Sequence, residues 1–295
     1  MEPRDLPPGD WSPLAVHASA RRYFRGLWEG RPALLAHFGD DADGLARFVA
    51  ATRLFTGRGI PVPALLASDP ARSFVVQEFV EGPLASRVRW GRGLEGRIFA
   101  LAAAVATVPP EAWPDSPPLL ELDAARLRFE LGFFDLHFVQ GFLNRAPDRL
   151  LRGGLDALAE AVAAHPRAMA HRDFHSENVI LSGEGPVLVD YQDALLAPRS
   201  YDLASLAVDA YRRQPGGFRA RCLAASGVEA GEFRAAALQR ALKALGTFGY
   251  QVTRRKNPRY LTFIRTTVPH ARALLDAGGE GLAALVPVLE EAERL

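Results

Sequence analysis

The sequence is poor in the residues that form covalent cross-links. Its 295 residues include one cysteine, Cys222, so the chain cannot form an internal disulfide. Proteins without disulfides are typical of reducing compartments. The formal net charge is +1. Because no basic run is dense enough to neutralise a nucleic-acid backbone, we expect no nucleic-acid partner.

Long apolar runs are also missing. The opening segment M-E-P-R-D-L-P-P-G-D-W has no apolar core of a signal peptide, and no run approaches the roughly 18 residues of a membrane-spanning helix. We therefore expect a cytoplasmic protein without a membrane partner. The apolar content of 48% and the charged content of 23% are ordinary for a globular protein, and this length allows one large domain or two lobes.

Lysine is the third scarcity. Of the 35 basic residues, only Lys243 and Lys256 are lysines. The N-terminal part of the chain can therefore offer an anionic ligand only arginine or histidine. His37 is a weak candidate for such a contact, because a neutral imidazole binds phosphate poorly at pH 7.

The stretch Ala170–Asp193 concentrates polar residues in an ordered pattern. A polar loop, 171–178, is followed by an apolar run, 179–181, then by the turn-rich S-G-E-G-P and a second apolar run, 187–189, that ends on Asp190. This pattern predicts a loop that leads into a β-hairpin. Since an unpaired buried carboxylate costs several kcal/mol, we interpret the polar residues as serving chemistry.

The spacing of these polar residues fits phosphoryl transfer. That reaction uses an aspartate that accepts the proton of the acceptor hydroxyl, an asparagine five residues later that binds magnesium, and an aspartate across a short hairpin. Asp173, Asn178 and Asp190 match these roles. Magnesium prefers oxygen ligands, so one amide, one carboxylate and nucleotide phosphates are a suitable set. We predict that the three side chains converge.

Two other interpretations stay open from the residues alone. His171 and His175 are four residues apart, a spacing that suits zinc on a helix, and Glu177 lies beside them. Strand-like runs that follow at once argue against such a helix. In the other interpretation, Asp173 and Asn178 only organise turns.

The loop resembles the H-x-D-x-x-x-x-N catalytic loop of aminoglycoside phosphotransferases and related small-molecule kinases, which share the protein-kinase fold. His175 strengthens the resemblance, because that group typically carries H-x-D-x-H-x-x-N. The next segment, L-V-D-Y-Q-D-A-L-L-A-P-R-S-Y-D-L-A-S-L, is similar to one in bacterial sugar kinases that phosphorylate the anomeric hydroxyl of N-acetylmuramate and N-acetylglucosamine. The segments A-S-A-R-R-Y-F-R, L-Q-R-A-L-K-A-L-G-T-F and K-N-P-R-Y-L extend the resemblance over nearly the whole chain.

The resemblance implies an α+β, protein-kinase-like fold of two lobes. A small β-rich N-lobe would span residues 1–82, and a mainly helical C-lobe would span residues 83–295. The implied cofactors are ATP and Mg²⁺, and the implied partner is a small-molecule sugar. The sequence does not predict the oligomeric state.

The N-terminal region predicts a nucleotide-covering hairpin. Two apolar strands, R-Y-F-R-G-L-W and A-L-L-A-H-F, flank the turn E-G-R-P. Ser19, Arg21 and Arg22 are candidates for phosphate contacts, since arginine fits phosphate oxygens well. By the resemblance, backbone groups from Glu78 to Val80 would pair with adenine. The small-lobe lysine of protein kinases is absent, which leaves the phosphate grip unassigned.

Periodic apolar residues predict helices in the remainder of the chain. The predicted segments are 43–57, 84–106, 124–143, 154–164, a helix starting at 201, 232–251 and 260–275. Glu130 is a candidate sugar ligand by the resemblance, or a solvated helix residue. Asp193 could hold a sugar hydroxyl or tie its own loop, and Asp202 could cap a helix or brace the catalytic loop.

These observations predict an ATP-dependent sugar kinase with Asp173 as the base, Asn178 and Asp190 as metal ligands, and Glu130, His175 and Asp193 near the sugar. Two rival functions remain open. One is a kinase of the same fold that acts on an aminoglycoside, choline or homoserine, for which an acidic pocket is expected. The other is a nucleotide-binding module without turnover, which the missing lysine suggests.

Overall fold

An antiparallel five-stranded sheet lies in the N-terminal part of the chain. Its strands are β1 (Ser12–Leu14), β2 (Arg22–Trp28), β3 (Arg31–His37), β4 (Leu65–Asp69) and β5 (Phe74–Glu78), in the spatial order β1-β2-β3-β5-β4. The computed structural model describes residues 6–14, 21–276 and 282–295. Ser19, one of the predicted phosphate contacts, lies outside the described residues.

The predicted hairpin is formed by β2 and β3. Glu29 and Gly30 have φ values of 49° and 77°, and Trp28 pairs with Arg31. Positive φ at both central residues is what a two-residue type I′ turn needs, so the turn is shorter than the predicted E-G-R-P. Inward-facing side chains of the sheet form one core cluster: Phe24, Ala33, Leu35, Phe74 and Val76.

Helix α1 (Ala42–Gly57), which matches the helix predicted over 43–57, packs against strands β4 and β5 of this sheet. It begins at Asp41, whose carboxylate accepts a hydrogen bond from the Gly44 amide at 2.8 Å. Soon after it ends, Gly59 adopts a positive φ of 70°, which a residue without a Cβ adopts readily. Further along the chain, α2 (Arg92–Ala106) follows a short loop.

Four more strands form two ribbons. β6 (Arg167–Ala170) pairs with β9 (Leu195–Pro198), and β7 (Val179–Leu181) pairs with β8 (Pro186–Leu188), both antiparallel. The remaining helices are α3 (Ala124–Phe134), α4 (Arg149–Ala163), α5 (Tyr201–Ala207), α6 (Phe218–Ser226), α7 (Ala230–Thr253), α8 (Tyr260–Asp276) and α9 (Val286–Glu293).

Helix α7 is the centre of the helical part, since it packs against α3, α4, α5 and α8. Two glycines allow a close approach to α3 and the segment after it. A Cβ on Gly246 would lie 2.8 Å from the Cα of Phe134, and one on Gly249 would lie 2.5 Å from the carbonyl oxygen of His137. Larger residues at these positions would push the helices apart.

The chain folds into two compact units. The first comprises Met1–Leu120 and Asn178–Ala194, and the second comprises Glu121–Glu177 and Leu195–Leu295. The predicted lobes, 1–82 and 83–295, divide the chain differently and stay a prediction. Among the described residues, no helix combines the length and the apolar character needed to cross a membrane.

The structure corrects several predictions about local structure. The single helix expected over 124–143 changes from α to π geometry over Asp135–Gln140. Strand β1 at the sheet edge was not predicted. The sequence analysis also missed β4 and the β6–β9 ribbon, because four or five residues give little periodicity. The expected β7–β8 hairpin is confirmed, as are the helices predicted over 154–164, from 201, over 232–251 and over 260–275, whereas α6 and α9 were not predicted.

Candidate active site

In the second unit, the polar loop after β6 is held by carboxylates. Asp202, near the start of α5, accepts hydrogen bonds from the backbone amides of His171 at 2.7 Å and Arg172 at 3.1 Å. Arg172 has a φ of 77°, an uncommon value for a residue with a Cβ. The two charge-assisted bonds offset that strain, so Asp202 braces the loop, one of its two expected roles.

Asp209, just beyond α5, holds the other side of the same loop. Its carboxylate accepts from the amide of Ser176 at 2.9 Å and from the amide of Tyr211 at 2.9 Å. Burial raises the pKa of both Asp202 and Asp209, and the backbone donors partly oppose this. Asp173 therefore lies on a loop that is fixed on both sides.

Asp173 meets two cations supplied by α7. Its Oδ1 is 3.1 Å from Lys243 Nζ and 3.2 Å from an Arg240 guanidinium nitrogen. Burial alone would raise the pKa of Asp173, but the charges of Lys243, Arg240 and Arg172 outweigh it and hold the pKa well below its usual value. Asp173 is therefore ionised at neutral pH.

Glu130 of α3 is buried in the same charge network, with 5% of its surface exposed. It accepts from Arg172 at 3.0 Å and from Gln239 at 2.8 Å, and Lys243 Nζ lies 3.5 Å away. Burial raises its pKa, and the charges of Lys243 and Arg172 reverse the effect and lower it. The alternative of a solvated helix glutamate is wrong, because Glu130 is buried and its carboxylate is bonded to these partners instead of to water. Contact with the sugar stays a prediction.

A cavity of about 100 Å³ opens beside Asp173 within this unit. Its charged lining includes Arg240 and Lys243, and its aromatic lining includes Tyr211 and Phe248. His175 also lines the cavity, with its ring 4.8 Å from that of Tyr211. Burial lowers the pKa of His175 to about 3, against the opposing effect of Asp173, so the imidazole is neutral at pH 7.

The zinc alternative finds no support in the residues described. His171 and His175 lie on an irregular loop, not on one face of a helix. Among the described residues, no group of three or more histidine, cysteine, aspartate or glutamate side chains could hold a metal ion. Magnesium needs no such cluster, because nucleotide phosphates and water complete its shell.

In the first unit, the β7–β8 hairpin brings Asn178 and Asp190 near each other. Asn178 precedes β7, and its backbone carbonyl oxygen accepts from the amide of Val189 at 3.0 Å, so Asp190 follows directly after the residue that pairs with Asn178 beyond the end of β8. Asp190 is exposed, has a φ of 61°, and its Oδ1 accepts from Gln192 at 2.8 Å. An amide oxygen and an exposed, oriented carboxylate fit magnesium.

Helix α1 anchors the segment that carries Asp190. The hydroxyl of Tyr191 lies 3.0 Å from that of Thr52, and its ring stacks on Phe48 with centroids 5.4 Å apart. Arg47 donates to the carbonyl oxygen of Ala194 at 3.1 Å. A helix behind the sheet thus fixes the residues on both sides of Gln192.

Asp193 lies within this anchored segment and is half-buried. Its Oδ2 is 3.5 Å from the side-chain amide of Gln192, a long contact that is consistent with the loop-tying alternative. Sugar binding by Asp193 stays a prediction.

The predicted phosphate contacts lie on β2 or just before it. The Arg21 guanidinium lies 4.9 Å from the centroid of the Phe38 ring and 4.0 Å from Asp41, and that of Arg22 lies 5.6 Å from the Phe24 ring centroid. Both side chains therefore already have partners in this unit. Phosphate binding by either arginine stays a prediction.

The predicted adenine contacts lie at the end of β5. The amide of Glu78 donates to Ala64 at 2.9 Å, and the amide of Phe79 donates to Pro32 at 3.2 Å. Two of the three backbone donors in 78–80 are thus used within the protein. Adenine binding by this segment stays a prediction.

The sequence analysis missed Lys243 and Arg240 as site residues. Both lie in the segment L-Q-R-A-L-K-A-L that carried part of the resemblance, and they are three residues apart on α7. That spacing places two side chains on one helix face. Nothing in the sequence showed that this face meets Asp173, since the contact joins residues 70 positions apart.

Comparison with known proteins shows the family of this chain. Residues 10–239 match the phosphotransferase enzyme family, a range that exceeds half of the chain. The chain belongs to the phosphotransferase enzyme family. The expected transfer of a phosphoryl group to an alcohol is confirmed by this membership and by the relatives described next.

Several relatives of this phosphotransferase are N-acetylmuramate/N-acetylglucosamine kinases. That of Pseudomonas putida is 27% identical over 276 residues, which cover 87% of this chain and 81% of the kinase. That of Caulobacter vibrioides is 30% identical over 244 residues, which cover 74% of this chain and 67% of that kinase. That of Pseudomonas aeruginosa is 29% identical and covers 72% of this chain, which spans only 63% of that kinase. The resemblance found in the sequence is confirmed.

Solved structures confirm the kinase-like fold. An ethanolamine kinase of Plasmodium vivax matches with a TM-score of 0.65 at 10% identity, covering 92% of this chain and 84% of that one. A type VIII aminoglycoside-3′-phosphotransferase matches with a TM-score of 0.56 at 21% identity, covering 82% and 95%. At these identities the likeness concerns the fold alone. The convergence of Asp173 with Asn178 and Asp190 stays a prediction.

Proposed function

We propose that this phosphotransferase transfers the γ-phosphate of ATP to the anomeric hydroxyl of N-acetylmuramate or N-acetylglucosamine. The observation that carries the proposal is the cavity beside Asp173, whose lining balances the cations Arg240 and Lys243 against the carboxylates Asp173 and Asp209 and includes the rings of Tyr211 and Phe248. Cationic acceptors such as choline or an aminoglycoside need an acidic pocket. A sugar suits this charge-balanced, partly aromatic lining better, and the names of the relatives point the same way.

Asp173 acts as the base in this proposal. Its carboxylate orients the attacking hydroxyl and accepts its proton as the bond to phosphorus forms. Because the neighbouring cations lower the pKa of Asp173, it is a weak base. The anomeric hydroxyl is a hemiacetal and is the most acidic hydroxyl of a free sugar, so it matches a weak base best.

The other site residues bind and orient. His175, neutral at pH 7, can hydrogen-bond a sugar hydroxyl without adding charge. Tyr211 and Phe248 offer apolar surface to the sugar ring. Asn178 and Asp190 would hold magnesium, with Gln192 orienting the carboxylate. Magnesium, when bound, neutralises charge on the β- and γ-phosphates.

The nucleotide is assigned to the first unit. Arg21 and Arg22 would contact the phosphates, and Val80 would donate to adenine from the end of β5. The same proposal places the protein in the cytoplasm, where ATP is abundant.

A substrate panel with ADP release as the readout tests the proposal. We expect turnover with N-acetylmuramate and N-acetylglucosamine, and none above background with methyl N-acetylglucosaminide, whose anomeric hydroxyl is blocked. Phosphorus NMR of the product should show an anomeric phosphate and no primary ester. Turnover with choline, homoserine or an aminoglycoside and none with the sugars would favour another acceptor. Binding of Mg-ATP without turnover on any acceptor would favour a nucleotide-binding module.

A further inference from the structure

Lys243 is one of two lysines in the chain, and α7 carries it to the carboxylate that the proposed reaction uses as its base. Its Nζ lies 3.1 Å from Asp173 Oδ1 and 3.5 Å from Glu130 Oε1. Its side chain is 16% exposed and lines the cavity beside Asp173. An ammonium between two carboxylates neutralises their charge. Neutralisation alone does not explain why the Lys243 side chain lines a cavity.

Both carboxylates that pair with Lys243 also pair with another cation. Arg240 lies 3.2 Å from the same oxygen of Asp173. Glu130 is paired with Arg172 at 3.0 Å and accepts from Gln239 at 2.8 Å. Charge neutralisation within the protein is therefore shared, and a lysine is an unusual choice for it in a chain so dominated by arginine.

Lys243 also differs from Arg240 in freedom of movement. The Arg240 guanidinium donates to the hydroxyl of Ser205 at 3.0 Å, lies 5.8 Å from the ring centroid of Tyr201, and has a side chain only 8% exposed. A lysine ammonium is a compact charge with three donors that can turn toward a new acceptor, whereas a guanidinium has a fixed planar fork. Of these two cations, Lys243 is the one suited to meet a bound molecule.

The attacking oxygen must come close to Lys243. A base takes a proton only from a hydroxyl within about 2.6–3.2 Å of its carboxylate. Such a hydroxyl would lie in the cavity that Asp173 and Lys243 both line. The lysine ammonium, in contact with the same carboxylate, is then within reach of the hydroxyl oxygen.

We infer that Lys243 is a catalytic residue that contacts the attacking oxygen and offsets the negative charge that develops there. This inference rests on the proposed function. The acceptor O–H bond breaks and its proton passes to Asp173, while a bond forms between that oxygen and the γ-phosphorus. The bond from the γ-phosphorus to the bridging oxygen breaks, and ADP keeps the electron pair. Lys243 keeps its proton throughout.

Kinetics of three lysine variants test the inference. Lys243→Met should lower kcat by roughly 10²–10³-fold, the usual effect of losing one donor to a developing oxyanion, with a much smaller change in the KM for the sugar. Lys243→Arg should recover part of the loss. Lys256→Met, which changes the exposed second lysine, should behave like the wild type. A kcat within threefold of wild type for Lys243→Met would overturn the inference.

Chemical rescue separates catalysis from a structural role. In Lys243→Ala, ethylammonium should enter the vacated space and raise kcat in a saturable way, while Asp173→Ala should show no rescue. If Lys243 has only a structural role, Lys243→Ala should have a lower melting temperature that ethylammonium partly restores, and kcat per folded molecule should show no saturable gain. That second pattern would contradict the inference.

NMR of the wild type covers the case in which the variants fail to fold. With lysine labelled at ¹³Cε, the chain gives two side-chain signals, which Lys243→Arg or Lys256→Met assigns. Saturating N-acetylglucosamine, without nucleotide, should shift the Lys243 signal and leave the Lys256 signal in place. An unmoved Lys243 signal in a protein that phosphorylates the sugar would overturn the inference alone. A shifted Lys243 signal without turnover would contradict the proposed function alone. The two failures therefore give different results.

Discussion

The two compact units place different partners around Asp173 and Asp190: cations in one unit and a neutral amide in the other. In the second unit, Asp173 meets the cations Lys243 and Arg240. In the first unit, Asp190 is exposed and meets the neutral amide of Gln192. A carboxylate with protein counterions is poorly suited to a further metal ion, whereas one that is oriented by an amide can take it. The surroundings of each carboxylate thus differ in the way that the proposed roles of base and metal ligand require.

The units also hold these carboxylates by different means. Arg172, next to Asp173, and Asp190 itself both have positive φ. In the second unit the backbone there is fixed by the buried carboxylate of Asp202. In the first unit it is fixed by the packing of the next residue, Tyr191, against α1. Backbone strain of this kind clusters at functional sites and persists only when its surroundings enforce it.

Asp173→Asn should have the largest effect and tests the base side of the comparison. Because positioned base catalysis is worth about 10²–10⁴-fold, kcat should fall by that factor while Mg-ATP still binds. Steady-state kinetics and calorimetric titration with Mg-ATP measure the two quantities. Asp156→Asn, on the exposed face of α4, is a matched control that should change neither. Near-normal turnover in Asp173→Asn would break the assignment.

Asp190→Asn tests the metal side. Loss of this carboxylate should weaken Mg-ATP binding and turnover together, unlike Asp173→Asn. Gln192→Leu, which removes the orienting hydrogen bond and the long contact with Asp193 but keeps Asp190, should weaken apparent magnesium affinity by about 10–100-fold. Activity titrated with Mg²⁺ at fixed ATP gives both values. Unchanged magnesium dependence in both variants would remove Asp190 from the metal site.

Glu130→Gln tests whether the buried ion pairs of the second unit stabilise the fold. Breaking a buried ion pair by removing one partner costs about 3–5 kcal/mol, and Glu130 pairs with both Arg172 and Lys243. Denaturant unfolding should show a loss of that order. Glu160→Gln, in the exposed pair with Arg128, should cost at most about 1 kcal/mol. Full stability with a large rise in KM would instead support the predicted sugar contact.

Local signals in the sequence predicted one half of this comparison well. The alternation of apolar runs and turn residues located the β7–β8 hairpin and the polar loop before it, whereas the chemical roles inferred from the spacing of Asp173, Asn178 and Asp190 stay a prediction. These features depend on residues close in sequence, where periodicity and turn chemistry carry information. The pattern of α1 was likewise readable, because its apolar stripe spans several turns.

Contacts between distant residues could not be predicted in the same way. Glu130, Asp173 and Lys243 are far apart in sequence, and their charges meet because α7 packs against α3 and because buried carboxylates hold the loop that carries Asp173. The π segment Asp135–Gln140 also depends on packing, because apolar residues at spacings of three and four do not distinguish it from an α-helix. The sequence analysis weighed Glu130 as a solvated residue for this reason.

The pH dependence of stability sharpens the comparison further. Burial lowers the pKa of His175 from 6.5 to about 3, so below pH 6.5 the unfolded chain binds a proton that the folded protein does not. The free energy of unfolding should therefore fall as pH falls from 6.5 toward 3, by at most about 1.4 kcal/mol per unit from this group. His175→Asn should remove that slope. The buried Asp202 and Asp209 titrate in both proteins, so they cancel in the difference.

The hydrogen bond between Thr52 and Tyr191 gives the smallest effect and tests the packing side of the comparison. Thr52 donates to the carbonyl oxygen of Phe48 at 2.7 Å, so the Tyr191 hydroxyl is the donor in their shared bond of 3.0 Å. Tyr191→Phe leaves Thr52 satisfied and should cost about 1 kcal/mol, whereas Thr52→Val strands a buried donor and should cost about 1–3 kcal/mol. The double variant should cost less than the sum. Equal single losses that add would show that aromatic packing against Phe48 and Phe55, not this bond, positions the segment that carries Asp190.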